Sequence, residues 1–439
     1  MKIYGIDLGT TYSLIGRGDQ LYTGLVSSNV NTKEKRQAEK SEINSDIVSS
    51  YKVDMTIGSN GVLPIACSAI ILKELANRVK KAIGEEVKNV VISVPAKFSH
   101  TQREAVCQAA EAAGLNVEGL INEPTAAAIH ICKDMKDLIL VYDLGGGTFD
   151  ATILDSRAGS YFVVATDGNG HLAGDNLDAA LLNLALKEKG VKMRYKTKNN
   201  IEYGKNIIRQ AKEEIQKTGL QQYIDMTVFN CESSWVLTKD IYIATLKEVF
   251  SPTIKLVKRL IAMNLSDIDK PKLVFVGGST ACPYLKEWVK EELNLESYDS
   301  NDRPDFIVAK GVSEYAKMLE DGTAYTAVED VTKTLSIEDE TGIANVVIEP
   351  NTIVPVKSSR MFVNSDASRY LHLNLYQGDS MVCAENDFIG EMIYDYGEVR
   401  QPGDGIVDLE ISVDHNGIVK LVATDILTNE SQQASLRVK

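Results

Sequence analysis

Ile6-Asp7-Leu8-Gly9-Thr10-Thr11 and Tyr142-Asp143-Leu144-Gly145-Gly146-Gly147-Thr148 follow one plan. Each runs from an apolar strand into an aspartate, a glycine turn and a threonine, and then into a second strand. The two aspartates stand 136 positions apart. Glycine lets backbone approach a ligand closely. A tight turn of this kind aims several N–H groups at one point, which suits phosphate oxygens. Each N–H bonded to a charged oxygen contributes about 1.5–3 kcal/mol. Two opposed turns therefore grip a triphosphate without a lysine motif. Aspartates at the strand ends would repel bare phosphate, but they make sense around a hydrated Mg²⁺, which usually keeps several waters. One such turn is more often an ordinary hairpin; two matched copies argue for a phosphate clasp.

Outward from these turns the chain punctuates itself. Residues 1–16 read as strand, turn, strand, while 17–60 are polar and carry no clear period. A helix is predicted over 66–83, where Ile70, Ile71, Leu75 and Val79 recur at helical spacing. Residues 89–94 are a buried strand ended by Pro95, and 101–113 a helix closed by Gly114. Strands follow at 137–142, 149–154 and 161–166, and a helix at 175–188. Further helices are expected at 204–217, 238–263 and 282–293, with a strand at 272–276. The helical stretch 183–263 is expected to cap a second lobe. Beyond residue 322 helical periodicity gives way to short alternating runs. Val407, Leu409, Ile411 and Val413 alternate with polar neighbours, and Asn416-Gly417 marks a hairpin turn. Gln377-Gly378-Asp379 opens an irregular loop.

Bulk properties narrow the function. A chain of 439 residues is too long for one core. Its net charge of −14 argues against nucleic acid and acidic lipid as partners. No apolar run approaches a membrane span, and the N-terminus enters a strand without a signal segment. The six cysteines form no CxxC pair and do not cluster with the five histidines, which fits buried thiols in a reducing cytoplasm. There is no GxxxxGK[ST]. Gly168-Asn-Gly170-His-Leu-Ala173 matches a dinucleotide fingerprint, but no following strand carries the acid expected about 20 residues on.

At Asp7–Tyr12 (DLGTTY), Asn122–Ala128 (NEPTAAA), Asp143–Asp150 (DLGGGTFD) and Gly277–Thr280 (GGST) the chain resembles the seventy-kilodalton heat-shock chaperones, the DnaK family. Val94-Pro95-Ala96 with Arg103, and Asp330-Val331-Thr332 with the β-rich end, resemble that family too. The stretch from about 17 to 60 fits poorly. The resemblance implies an α/β fold: a two-lobed actin-like (ribonuclease-H-like) ATPase domain at 1–322, a linker at 323–331 and a β-sandwich peptide-binding domain at 332–439. It implies ATP/ADP with Mg²⁺, and K⁺ as a further cation. It implies unfolded or extended peptide as substrate, with a J-domain co-chaperone and a nucleotide-exchange factor as partners. A cytoplasmic monomer is expected.

By position, the resemblance gives Gly9, Thr10, Thr11 and Tyr12 one side of the phosphates. Gly145, Gly146, Gly147 and Thr148 take the other. Asp7, Glu123 and Asp143 would order the metal's waters and the attacking water, with Asp7 and Asp143 beside the metal and Thr148 at the γ-phosphate. Gly277, Gly278 and Ser279 would back the adenosine; Gly174, Lys212, Gln216 and Asp305 match further pocket positions. Pro95 and Arg103 would relay nucleotide state to the second domain. In that domain Ala344 and Ser365 fall near an arch over peptide, and Leu371 and Leu373 near a pocket floor, though sandwich core is their plainer role.

Three departures stand out. Ala281 replaces the family's adenine-stacking arginine, so Arg209 is expected to stack from the opposite side. The region between Thr11 and the Val90 strand is short and lacks a clear copy of the family's lysine for the transferring phosphoryl group. Lys35-Arg36-Gln37-Ala38 resembles a neighbouring family stretch, Lys52 is a displaced candidate though a surface lysine is its plainer role, and slow or absent hydrolysis follows. No helical lid precedes Lys439, so bound peptide should leave quickly. The linker segment Ala324–Val328 is weakly apolar, which implies weak domain docking. A non-hydrolysing adaptor and an actin-like or sugar-kinase relative are the competing function classes. The β-rich end and NEPTAAA speak against the kinase.

Overall fold

A computed structural model describes residues 1–38, 47–48, 62–132, 137–157, 160–266, 268–298, 300–323, 330–331, 333–350, 352–414 and 417–435. The first glycine turn joins Ile3–Leu8 to Tyr12–Arg17 as antiparallel neighbours, with Leu8 opposite Ser13. Asn89–Val94 lies parallel on the other side of Ile3–Leu8, and Asn116–Asn122 parallel beyond it. The continuous apolar run Val90-Val91-Ile92 is fully buried, as a central parallel strand requires. Helix α1 (Val62–Ile83) and helix α2 (His100–Ala112) cover one face, with Ile71, Leu72, Leu75 and Val79 of α1 meeting Val106 and Ala109 of α2. A capping box starts α2: Ser99 Oγ accepts from the Gln102 N–H, and the Gln102 side chain accepts from the Ser99 N–H. Asn116–Asn122 leads directly into α3 (Glu123–Ile131).

The second sheet repeats the plan. Its order is Ser160–Asn169, Phe149–Arg157, Leu138–Leu144, Lys272–Val276, with the last two parallel. Its helices are α4 (Gly174–Glu188), α5 (Lys198–Thr218), α6 (Lys239–Asn264) and α7 (Pro283–Leu293). Helix α5 starts earlier than its spacing predicts, because Thr197 caps it at Asn200. Helix α6 runs through Pro252. The proline leaves the Glu248 carbonyl without its usual N–H, and Ser251 Oγ donates to it instead.

Helix α8 (Ile307–Asp321) carries no sequence expectation above. It packs with α3 between the two sheets, in a cluster that takes Ile3, Val91 and Ile121 from one sheet and Val141, Val274 and Val276 from the other. A Cβ at Gly311 would stand 1.8 Å from the Ala126 carbonyl oxygen, so only glycine permits the crossing at this depth. In the unassigned stretch the described residues form short strands at Gln20–Leu21, Val26–Ser27, Asn29–Asn31, Arg36–Ala38 and Ile47–Val48. Lys52 lies outside the described residues, as do Ala324–Val328.

The C-terminal part is a sandwich of two four-stranded antiparallel sheets. One orders Ala344–Ile348, Leu335–Glu338, Ser368–Gln377 and Asp387–Arg400; the other orders Val356–Val363, Ile406–Val413, Val419–Asp425 and Ser431–Ser435. The alternating Val407, Leu409, Ile411 and Val413 point into the core between them. Asp330–Val331, read above as part of a linker, pairs with Thr352–Ile353.

The sandwich meets the first lobe at α2. The His100 N–H donates to Gln377 Oε1, and His100 Nδ1 accepts from the Val419 N–H at 3.1 Å. The ring is buried, with Glu104 3.8 Å from its Nε2 and Asp414 and Arg103 facing it. Burial pushes this imidazole down to about 4, from an ordinary 6.5. Well above pH 6.5 the ring is neutral whether docked or free, and the contact keeps its full strength. Between 6.5 and 4 only the undocked form takes the proton, so docking weakens by up to about 3 kcal/mol as pH falls. Interdomain fluorescence transfer should therefore drop between pH 7.5 and 5 in the parent and stay level in His100→Asn. A pH-independent parent signal would contradict this.

Candidate active site

The site forms because parallel strands all release their C-terminal ends at one edge. In the first lobe Leu8, Val94 and Asn122 end neighbouring strands and present Gly9, Pro95 and Glu123. In the second, Asp143 lies in register with Val276, presenting Gly145 and Gly277. A cavity of about 830 Å³ lies between these two sets. It is lined by Asp7, Gly9, Thr10, Thr11 and Tyr12 from one side, and by Asp143, Gly145, Gly146, Gly147 and Thr148 from the other. Glu123 and Pro95 also face it.

The two turns meet. A Cβ on Gly146 would stand 2.5 Å from Thr11 Oγ1. Each turn is braced from behind: Ser28 Oγ donates to the Gly9 carbonyl, and the Gly145 N–H donates to the Thr148 carbonyl. The N–H groups of Gly174 and Asp175, at the start of α4, bond the carbonyls of Gly145 and Gly146, and Ser279 Oγ also donates to Gly145. Among the described residues, the N–H groups of Thr10, Thr11, Gly146 and Gly147 bond no protein acceptor. These donors fit phosphate oxygens. Ser93 Oγ donates to Asp7 Oδ1 and fixes that carboxylate at the strand end. Among the described residues no three His, Cys, Asp or Glu side chains converge on a metal. A Mg²⁺ here would ride on phosphate oxygens and water beside Asp7 and Asp143, as this ion prefers.

The far end of the cavity is apolar on one wall, with Leu177, Tyr242, Leu246, Phe250, Ala281 and Pro283. Gly174, Gly277, Gly278, Ser279 and Asp305 line the same cavity, and Arg303 chelates the Asp305 carboxylate. Gln216 also lines it, but its amide donates to the Tyr242 hydroxyl. Arg209 lines the wall with its guanidinium held by Asp178 and Asp175, each at 2.9 Å. Lys212 Nζ stands 2.5 Å from the other Asp178 oxygen. Burial pushes the Tyr12 phenol up, with Arg209 pulling the other way.

Arg103 lies outside the cavity lining. It is buried, donates from Nη2 to Asn122 Oδ1 at 2.6 Å, and packs its Cδ within 3.1 Å of a Cβ built on Gly417. Asn122 immediately precedes α3, whose first residue is Glu123, so a short chain of contacts joins cleft and sandwich. In the sandwich, Ala344 begins a strand and bonds the Met381 carbonyl, while Ser365 sits exposed in a different loop. Leu373, read as pocket floor, is 1% exposed inside the core; Leu371 packs half-buried at its margin. The plainer role, core, is the one Leu373 fills here.

The family model described as Hsp70 protein matches residues 23–439. The chain belongs to the Hsp70 family. It is also similar to the "Chaperone protein DnaK" of Mycoplasma mobile, at 32% identity over 480 aligned positions covering 99% of this chain and 78% of that protein. The fold is accordingly an actin-like ATPase domain with a β-sandwich, and the family's function is that of a chaperone. Within this Hsp70, three cleft residues were given no role by the sequence reading. Asp150 closes the DLGGGTFD motif opposite Asp143. Lys97 follows the Val-Pro-Ala segment and pairs with Asp150. Asp178 is a buried acid on α4 with no motif to announce it; only its place one turn into a helix behind the second glycine turn hints at it.

Asp178 holds two cations in a buried position; removing it takes from Lys212 its acid and leaves Arg209 with Asp175 alone. Asp178→Ala should destabilise the fold by about 3–5 kcal/mol, the usual effect of breaking a buried pair. Urea unfolding measures it. A loss under about 1 kcal/mol, typical of exposed pairs, would show that the network adds little.

Proposed function

We propose that this Hsp70 is an ATP-dependent chaperone that binds extended, unfolded peptide segments under nucleotide control and hydrolyses ATP slowly. The observation that carries this reading is the close approach of Gly146 to Thr11, which leaves one phosphate-sized set of N–H donors shared between two lobes. Asp7 and Asp143 would hold waters of a bound Mg²⁺, with K⁺ as a further cation. When bound, Mg²⁺ neutralises charge on the terminal phosphates. In the reaction, water attacks the γ-phosphorus and the bond to the β–γ bridging oxygen breaks, leaving ADP and phosphate. Glu123, at the N-terminus of α3, orients that water, while Thr148 touches the γ-phosphate. Gly277, Gly278 and Ser279 would back the adenosine, beside Gly174, Lys212, Gln216 and Asp305. Arg209 would lie over the adenine from the opposite wall.

Control of peptide binding would run from Pro95 and Glu123 through Asn122 and Arg103 to Gly417. The sandwich, with Ala344 and Ser365 at its loops, would take the peptide. A J-domain co-chaperone and a nucleotide-exchange factor fit the same reading, as does a cytoplasmic monomer. Among the described residues no helix is long and apolar enough to cross a membrane.

Turnover of ATP measured with and without an unfolded peptide tests the reading. Peptide should raise the single-turnover rate, and Glu123→Gln should lower it about 10²-fold, the lower end for a positioned acid–base group. Turnover indifferent to peptide would refute nucleotide control. Arg209→Ala should weaken ATP binding about 2- to 30-fold, as loss of a cation–π contact does. Unchanged affinity would remove the stacking role.

A further inference from the structure

The triphosphate end of the cleft is crowded with negative charge. Asp7, Glu123, Asp143 and Asp150 all face it, and a nucleoside triphosphate would add about four more charges. One divalent cation does not balance that sum. The cations Arg209 and Lys212 are committed to Asp178, and Arg303 to Asp305, on the nucleoside side.

Lys97 is placed differently. It follows Pro95 at the C-terminal end of Asn89–Val94, the strand in register with Ile3–Leu8 and its glycine turn. Its side chain lines the cleft and reaches across to the second lobe, where Nζ stands 2.5 Å from Asp150 Oδ1. Asp150 is itself in register with Asp143. Space for the ammonium is kept by Gly168: a Cβ there would stand 2.9 Å from Nζ and 2.5 Å from Asp150 Oδ1. The side chain is 38% exposed, so it can turn from Asp150 toward an entering anion.

The geometry points to Lys97 as the γ-phosphate-binding cation of this chain, held by Asp150 until the nucleotide arrives. Lys97 then contacts the terminal phosphate directly, and its ammonium offsets charge that Mg²⁺ leaves unbalanced. The assignment rests on the ATP reading given above.

Calorimetric titration of the full chain with Mg-ATP and with Mg-ADP separates the two. The unmodified chain should bind both. Lys97→Met should lose about 10- to 100-fold in ATP affinity, as loss of a charge-assisted contact predicts, and under about threefold in ADP affinity. Lys97→Arg should keep most of the ATP affinity. Should Lys97→Met fail to fold, Lys97→Gln, which removes the charge but keeps a polar side chain, should give the same ATP-selective loss. Failure of the unmodified chain to bind either nucleotide would sink the ATP reading and this assignment together. Normal binding by that chain, with equal losses for ATP and ADP or none in the variants, would overturn the Lys97 role alone.

Discussion

Helices α3 and α8 cross with Gly311 against the Ala126 carbonyl, nearer than any side chain allows. That contact lies between the two sheets, in the cluster that draws residues from both. Because the crossing is so tight, the sheets are brought edge to edge at the C-terminal ends of their parallel strands. Every candidate group in the cleft inherits its place from this. Asp7, Glu123 and Asp143 sit on different strands or helix starts, yet all three emerge on the same side. The glycine turns can then touch, as Gly146 and Thr11 do.

The charge pattern of the cleft follows from that geometry. At the nucleoside end Arg209 and Lys212 share Asp178, and Arg303 has Asp305. At the phosphate end acids outnumber cations, and backbone N–H groups supply the rest of the positive potential. Such a site favours a ligand that brings its own metal. The same strand ends also lead outward. Pro95 and Glu123 face the cleft, while Arg103 and His100 on the adjoining helix meet the sandwich. Cleft and sandwich therefore lie two or three contacts apart, a distance over which packed side chains can carry a two-state change.

Much of this was legible before the structure. The paired DLGTT and DLGGGT turns announced the two lobes, because strand-Asp-Gly-Thr carries both local geometry and chemistry. Alternation at Val407–Val413 announced the sandwich, since period two survives in a one-sided sheet. Helix α8 was missed because Ala309, Gly311, Ser313 and Ala316 make up much of its buried face, and such small residues give a weak apolar period. Lys97 and Asp178 were missed for another reason. Their meaning lies in partners 53 and 31 to 34 positions away, Asp150 for one and Arg209 and Lys212 for the other. Leu371 and Leu373 share a strand face by period, yet only the fold shows that Leu373 is core and Leu371 its margin. The short strands after Arg17 carry too few residues each for any period to show.

The central claim is that two turns far apart in sequence close on one magnesium-bound triphosphate. Residue-resolved hydrogen exchange of the intact chain, with and without Mg-ATP, tests it most directly. The amides of Thr10, Thr11, Gly146 and Gly147 should become protected together on adding Mg-ATP, and lose that protection together when the metal is chelated. Protection of one turn without the other, or of neither at saturating nucleotide, would contradict the account.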